Sequence, residues 1–159
     1  FQHNAIMFWA LWQLNKSKIF TEILLKTCSD ISDREKQKRH EDYELQYIIF
    51  LSYAVASIIK MTANIPERDA PDEDFIVGLF EKEIAICKDF LLSNKKHYDD
   101  AWRLAPIQSI TRSIMKVILE IKDLENTIRA PENRLIDAYR DIVNYCIFAL
   151  IRIDEARNA

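Results

Sequence analysis

Two aspartates and an asparagine, Asp137, Asp141 and Asn144, stand at +4 and then +3 spacing. At about 3.6 residues per turn this spacing sets two carboxylates and an amide on one line of a helix. The helix predicted to carry them covers Asn133 to Ile153, and its main stripe is Leu135, Tyr139, Ile142, Cys146, Ala149 and Ile153. Beyond Asn144 the acid line turns into Phe148 and Ile151, so the carboxylates border a surface meant for burial. Acids in such a place need a cation, a basic side chain or a metal opposite them. The plainer reading is that they are exposed, or paired with Arg140 or Lys116.

Other residues allow two readings in the same way. Lys116 and Arg103 suit phosphate contacts, or ion pairs with Asp137, Asp141 or Glu120. Trp102 suits a wall for stacking a base, or a core anchor echoed by Trp12. His97 is a ligand, a base or an exposed loop residue, and Glu81 and Glu83 are metal ligands or part of a solvated helix face. The chain shows no serine or cysteine with a base beside it, no glycine-rich phosphate loop and no zinc-ligand spacing.

The elements that must position these groups are all helical. Apolar residues make up 49% of the 159, which is enough for a core, and one glycine with four prolines leaves little for hairpin turns. A net charge of −3 argues against a sequence-independent grip on nucleic acid, though not against a nucleotide held through a metal. Cys28, Cys87 and Cys146 lie far apart and read as buried thiols of a reducing, cytoplasmic compartment. The uncharged run Leu45–Ile59 reads as too short for a bilayer. The apolar opening Phe1–Leu14 lacks the basic start and cleavage site of a leader, and the missing Met suggests a fragment.

Six segments follow in order. An apolar, aromatic stretch fills Phe1–Leu14, and a second runs over Lys16–Ile31 with Ile19, Ile23, Lys26 and Asp30. The charged run Ser29–Arg39 reads as a solvated loop or helix edge. Segment three, Glu41–Met61, is apolar nearly all round and belongs in the middle of a bundle. Pro71 and three acids open segment four, which ends near Ser93 and faces inward through Phe75, Leu79, Ala85 or Cys87, and Phe90. A loop, Asn94–Pro106, carries Trp102. Segment five, Ser109–Asn126, faces inward through Ile110, Ile114, Val117, Ile121 and Leu124, with Lys116, Glu120 and Asp123 on its polar edge. Pro131 and Glu132 open segment six.

The two halves read as a duplication. Trp12 and Trp102, Thr21 and Thr111, and Lys26 and Lys116 each differ by 90 positions, and Asp30 matches Glu120 at the same offset. Past the charged run the offset is 92, pairing Ser52 with Asn144, Tyr53 with Tyr145 and Ser57 with Ala149. Asp137 and Asp141 then map onto Leu45 and Ile49, and Asp100 onto Ala10. The predicted architecture is one all-α domain of two degenerate three-helix units: 1–62 as a structural half, 63–74 as a linker and 75–159 as the half that keeps the acids.

His97-Tyr98-Asp99-Asp100-Ala101-Trp102-Arg103, Ser109-Ile110-Thr111, Lys116, Ile121-Lys122-Asp123-Leu124-Glu125, Asp141-Ile142-Val143-Asn144-Tyr145 and Phe148-Ala149-Leu150-Ile151 resemble the nucleotide-modification-associated domain family of bacteria and phages. That family's pattern runs roughly K-x-x-D-Y-G-x-A-W-R, S-x-T-D, K-x-x-R-I-K-x-L-E and D-x-x-N-Y-A-x-x-A-L. The resemblance covers Glu81–Glu155, and members with two copies exist. His97, Asp99 and Glu120 depart from the pattern. The family is similar in turn to the MazG-like all-α NTP pyrophosphohydrolases, in which acids on adjacent helices hold magnesium and a nucleotide's phosphates.

The resemblance implies a nucleotide-binding protein, with Mg²⁺-dependent hydrolysis of an NTP between its α and β phosphates as the reaction. Asp137 and Asp141, with Asp100, would hold Mg²⁺. Lys116 and Arg103 would screen phosphate charge, Trp102 would meet the base, and Asn144 would orient a water or the sugar. The partner implied is a nucleotide or other phosphorylated small molecule, and a homo-oligomer is a further expectation, since pyrophosphohydrolase relatives are commonly dimers or tetramers; neither nucleic acid nor membrane is expected. The alternative is a non-catalytic helical module whose remaining polar groups stabilise a bundle.

Overall fold

The computed structural model describes residues 17–36, 43–63, 72–93, 101–128 and 131–158. All the regular structure in them is helical. The helices are α1 (Ser17–Lys36), α2 (Tyr43–Thr62), α3 (Glu73–Ser93), α4 (Ala101–Leu104), α5 (Ile107–Glu125) and α6 (Glu132–Arg157). The first segment, Phe1–Leu14, lies outside the described residues.

Four long helices close a ring: α2 packs on α6, α6 on α5, α5 on α1 and α1 on α2. α3 leans on α2 and α6, and the single turn of α4 leans on α6. Side-chain bonds give the directions. Thr21 at the start of α1 reaches Glu125 at the end of α5, whereas Cys28 further along α1 meets the Thr111 carbonyl. α1 and α5 are therefore antiparallel. So are α2 and α6, because Arg157 near the end of α6 binds Glu44 in the first turn of α2.

α2 is the middle helix, as its composition predicts. Tyr43, Tyr47, Phe50 and the unbroken run Ser52–Ile59 are buried. Its hydroxyls are accommodated locally: Ser52 and Ser57 donate to the carbonyls of Ile48 and Tyr53 at 2.8 and 2.9 Å. Such bonds to the preceding turn let a serine sit inside a core without a partner on another helix. At 20 residues the helix outruns the Leu45–Ile59 stretch, and by length and composition it could cross a membrane, although 56% of its most apolar window is buried within the protein.

Four readings shift. α1 continues through the charged run to Lys36, since Ile31 still buries and Lys, Glu and Arg are good helix formers. Trp102 sits in the short helix α4, where a loop is predicted. The inner face of α3 is Ile76, Phe80, Glu83 and Cys87; Phe75 and Ala85 are exposed and Leu79 is half-buried. That face holds an acid, which moves the apolar count off the true stripe. On α5, Val117 is half-buried and its neighbour Ile118 fully buried, while Ile110, Ile114, Ile121 and Leu124 face inward as predicted.

Candidate functional site

The acid line on α6 is graded from solvent to core. Asp137 is 54% exposed, Asp141 is half-buried and Asn144 fully buried. Phe148 continues the line inside, and Ile151 emerges at the surface. What lies opposite the acids is Arg140, one turn along the same helix. Its Nη1 is 3.6 Å from Asp137 Oδ1, and its Nε donates to Glu83 Oε1 on α3 at 3.1 Å. The guanidinium also lies 6.0 Å from the centre of the Phe90 ring.

Glu83 is only 6% exposed, and Arg140 meets it at the interface as its opposite charge. Cys87, one turn on, points its thiol at the same carboxylate oxygen across 3.8 Å. Burial first, and the charge of Glu83 second, push the Cys87 thiol up to about 12. It is a neutral core thiol, not a nucleophile. Burial likewise raises Cys146 well above its usual value. Tyr145 is raised by burial and by Asp141 beside it.

The residues proposed to meet a nucleotide differ in exposure and in their contacts. Trp102 is half-buried and stacks on Phe148, with centroids 4.3 Å apart and planes 8° off parallel. The Arg103 guanidinium lies over the same indole at 4.8 Å. Trp102 therefore already has ring and cation contacts of its own. Arg103 and Lys116 are exposed, and the Glu120 beside Lys116 bonds Arg134 at 3.3 Å. Glu81 is exposed on α3. Asp100 and His97 lie outside the described residues.

A magnesium ion asks for near-octahedral oxygens at about 2.0–2.1 Å. Two of the described acids, Asp137 and Glu83, converge instead on a guanidinium, itself a cation. Among the described residues, no group of three or more His, Cys, Asp or Glu side chains gathers where a metal could sit.

The opposite side of α6 holds a feature that the sequence reading missed. A cavity of about 270 Å³ opens between Ser57, Lys60 and Met61 of α2, Glu125 of α5, and Glu132, Leu135 and Tyr139 of α6. Thr21 of α1 donates to the Glu125 carboxylate, 2.9 Å from each oxygen. Tyr139 is 1% exposed, and its hydroxyl lies near Thr21, Ser57 and Glu125. No hydrogen bond closes to that hydroxyl among the described residues. Burial, with Glu125 adding its charge, takes the phenol to about 12. The only hint in the sequence is Glu125, which ends the Ile121–Glu125 motif; Tyr139 reads as one more apolar stripe position.

No curated protein and no solved structure matches the chain. The stretch 94–153, which holds α4, α5 and most of α6 together with Arg140 and Glu125, matches the family model described as nucleotide modification associated domain 1.

Proposed function

We propose that this chain is a non-catalytic helical module in which the acid line of α6 serves packing and pairing rather than metal chemistry. One observation carries the reading: Glu83 and Asp137 already have a cation, Arg140, ion-paired with them at 3.1 and 3.6 Å. A cation entering there has to displace a guanidinium and leave it without its buried partner, which is unfavourable by several kcal/mol (about 3–5 for a buried pair).

The module is built from two copies of one unit in this reading. Supporting it, Tyr47 on α2 bonds Thr111 on α5 at 2.7 Å. Tyr139 on α6 lies beside Thr21 on α1. The two threonines are 90 positions apart (111 − 21) and the two tyrosines 92 (139 − 47), the same offsets that relate the halves elsewhere. A swap of partners between halves is what two-fold packing of duplicated hairpins produces. A MazG-like ancestry belongs to the same proposal and rests on the resemblance alone.

The match over 94–153 favours a second reading, a nucleotide-binding protein with Mg²⁺-dependent pyrophosphohydrolase activity. Incubation with the common NTPs and dNTPs plus Mg²⁺ separates the two. The module reading expects no pyrophosphate release, and expects Asp141→Asn to change stability without changing nucleotide affinity. Turnover, or a saturable Mg-dependent nucleotide thermal shift that Asp141→Asn abolishes, overturns it in favour of the second.

A further inference from the structure

α3 leans on α2 and α6, and the side it buries is Ile76, Phe80, Glu83 and Cys87. Its opposite side, about 200° around the helix, carries Phe75, Gly78, Lys82, Ala85, Asp89 and Leu92. These six alternate strictly at +3 and +4, which is the seam spacing of two helices wound together. All six are exposed, Phe75 at 53% and Leu92 at 59%. Two large apolar groups thus stand in water at the two ends of one stripe. Gly78 is the chain's single glycine, and it lies inside a helix, where glycine is a poor former. Nothing among the described residues needs it to be small, because a Cβ added there meets no atom within 4 Å. A second backbone coming close from outside does need it. Ala85, two turns further along the stripe, is small as well.

The stripe is complementary to itself when reversed. Laid antiparallel on a second copy, about a two-fold axis level with the Glu83–Ile84 peptide, it sets Phe75 against Leu92, Gly78 against Asp89 and Lys82 against Ala85, each pair twice. Apolar meets apolar, and each charged seam residue meets a small one. One flank then places Glu81 opposite Lys88, both exposed, and the other places Leu79 opposite Ile86, both half-buried. Those pairs also occur twice. A parallel pairing fails, since it stacks Lys82 on Lys82 and Asp89 on Asp89. Because the buried side of α3 faces away from the seam, the two bundles lie on the far sides of the helix pair. We propose that α3 is a homodimer interface, an antiparallel pair of Glu73–Ser93 helices in which Gly78 and Ala85 admit the close approach. α3 precedes the 94–153 match, so nothing about this face is drawn from the family. The overlap from Phe75 to Leu92 is about 27 Å long. One helix pair of that length buries less than the roughly 1,200 Å² of a standard interface, so the dimer is weak, with a dissociation constant on the order of tens of micromolar.

The test is sedimentation equilibrium of the whole chain from about 5 to about 500 µM, a range that brackets the expected constant. A monomer–dimer equilibrium is expected. Phe75→Ser removes the apolar contact at both ends, and Gly78→Glu sets a carboxylate against Asp89; each leaves the chain monomeric throughout the range. Both positions are exposed, so circular dichroism should show an unchanged fold, and Gly78→Glu should melt no lower than the parent. Glu81→Lys alone and Lys88→Glu alone each weaken the dimer about tenfold, because the two-fold axis doubles every like-charge contact. Mixed with each other, these two single variants associate as a heterodimer as tightly as the parent, since both flanking contacts are again between opposite charges.

A monomer at every concentration overturns the proposal. So does a dimer untouched by Phe75→Ser and Gly78→Glu, or equal association of the two charge variants apart and mixed. The mixing experiment alters only exposed charges, so it decides even if another variant fails to fold. Asp141→Asn leaves the association unchanged, so failure here and failure of the module reading are separate outcomes.

Discussion

The two sides of α6 solve the burial of polar groups differently. On one, Arg140 sits between Glu83 and Asp137, and every charge named there meets an opposite charge. On the other, Tyr139 is buried with no hydrogen bond closing to its hydroxyl, beside open volume. The contrast follows from magnitudes. An isolated buried charge is unfavourable enough to reshape a protein or to neutralise itself, whereas an unmet hydroxyl is unfavourable by about 1–3 kcal/mol. A fold can tolerate the second and not the first. Hence incomplete pairing, where it occurs, falls on a hydroxyl.

The largest test of this contrast is to break the charged side. Arg140→Ala leaves Glu83 buried without its cation and is expected to destabilise the fold by about 3–5 kcal/mol in urea unfolding. Asp137→Asn, at an exposed position, is expected to shift stability by less than about 0.5 kcal/mol. Replacing Glu83 and Arg140 together by Met should recover most of the loss. A loss below about 1 kcal/mol for Arg140→Ala would mean that the pair is not the keystone of the α3–α6 contact.

This pairing also marks how far the sequence could be read. The stripe Leu135 to Ile153 and the inward set of α5 are close to legible from spacing alone, because each helix presents a continuous apolar row. α3 is misread by one position because its inner face includes Glu83, and an acid counts as outside until its partner is known. That partner lies 57 residues away, and no local pattern reports it. Arg140 itself is legible as a candidate partner of Asp137, since the two are one turn apart. The cavity leaves no sequence signal. It is a remainder of packing where α2 and α5 end and α6 begins, and voids belong to no single helix. Segment 94–100, which carries His97 and Asp100, lies outside the described residues.

Alkaline pH sharpens the comparison. Cys87 on the charged side and Tyr139 on the cavity side are both raised to about 12, from 9.0 and 10.0, chiefly by burial. Each is an acid whose folded value exceeds its unfolded one. Its stabilising share is therefore whole below the unfolded value and is lost as pH rises toward the folded value. Stability should fall above about pH 9, by up to about 1.4 kcal/mol per pH unit for each group in its window. Cys87→Val should flatten the part of the fall that begins near pH 9. Tyr139→Phe should flatten only the part beginning near pH 10. A fall untouched by Cys87→Val would place its cause elsewhere, with Cys146, raised by burial, the next thiol to replace.

The smallest effect is the most discriminating, because it compares two tyrosines that differ in little except whether their hydroxyls are met. Thr111 donates to the Ile107 carbonyl at 3.2 Å, so the bond at 2.7 Å to Tyr47 is one in which the phenol donates. Thr21 instead spends its proton on Glu125, and the phenol of Tyr139 stays outside hydrogen-bond geometry. Tyr47→Phe removes a made bond and is expected to destabilise by about 1 kcal/mol. Tyr139→Phe removes a hydroxyl that closes none and is expected to be neutral, or stabilising by up to about 1 kcal/mol. The sign of the difference matters more than its size. If Tyr139→Phe destabilises as much as Tyr47→Phe, then the Tyr139 hydroxyl is satisfied in solution, by water in the cavity or by a small rotation toward Thr21, and the two sides of α6 are polar cores of the same kind. If the difference holds, the cavity side keeps an unmet donor inside a folded bundle, and the two sides of α6 are polar cores of different kinds.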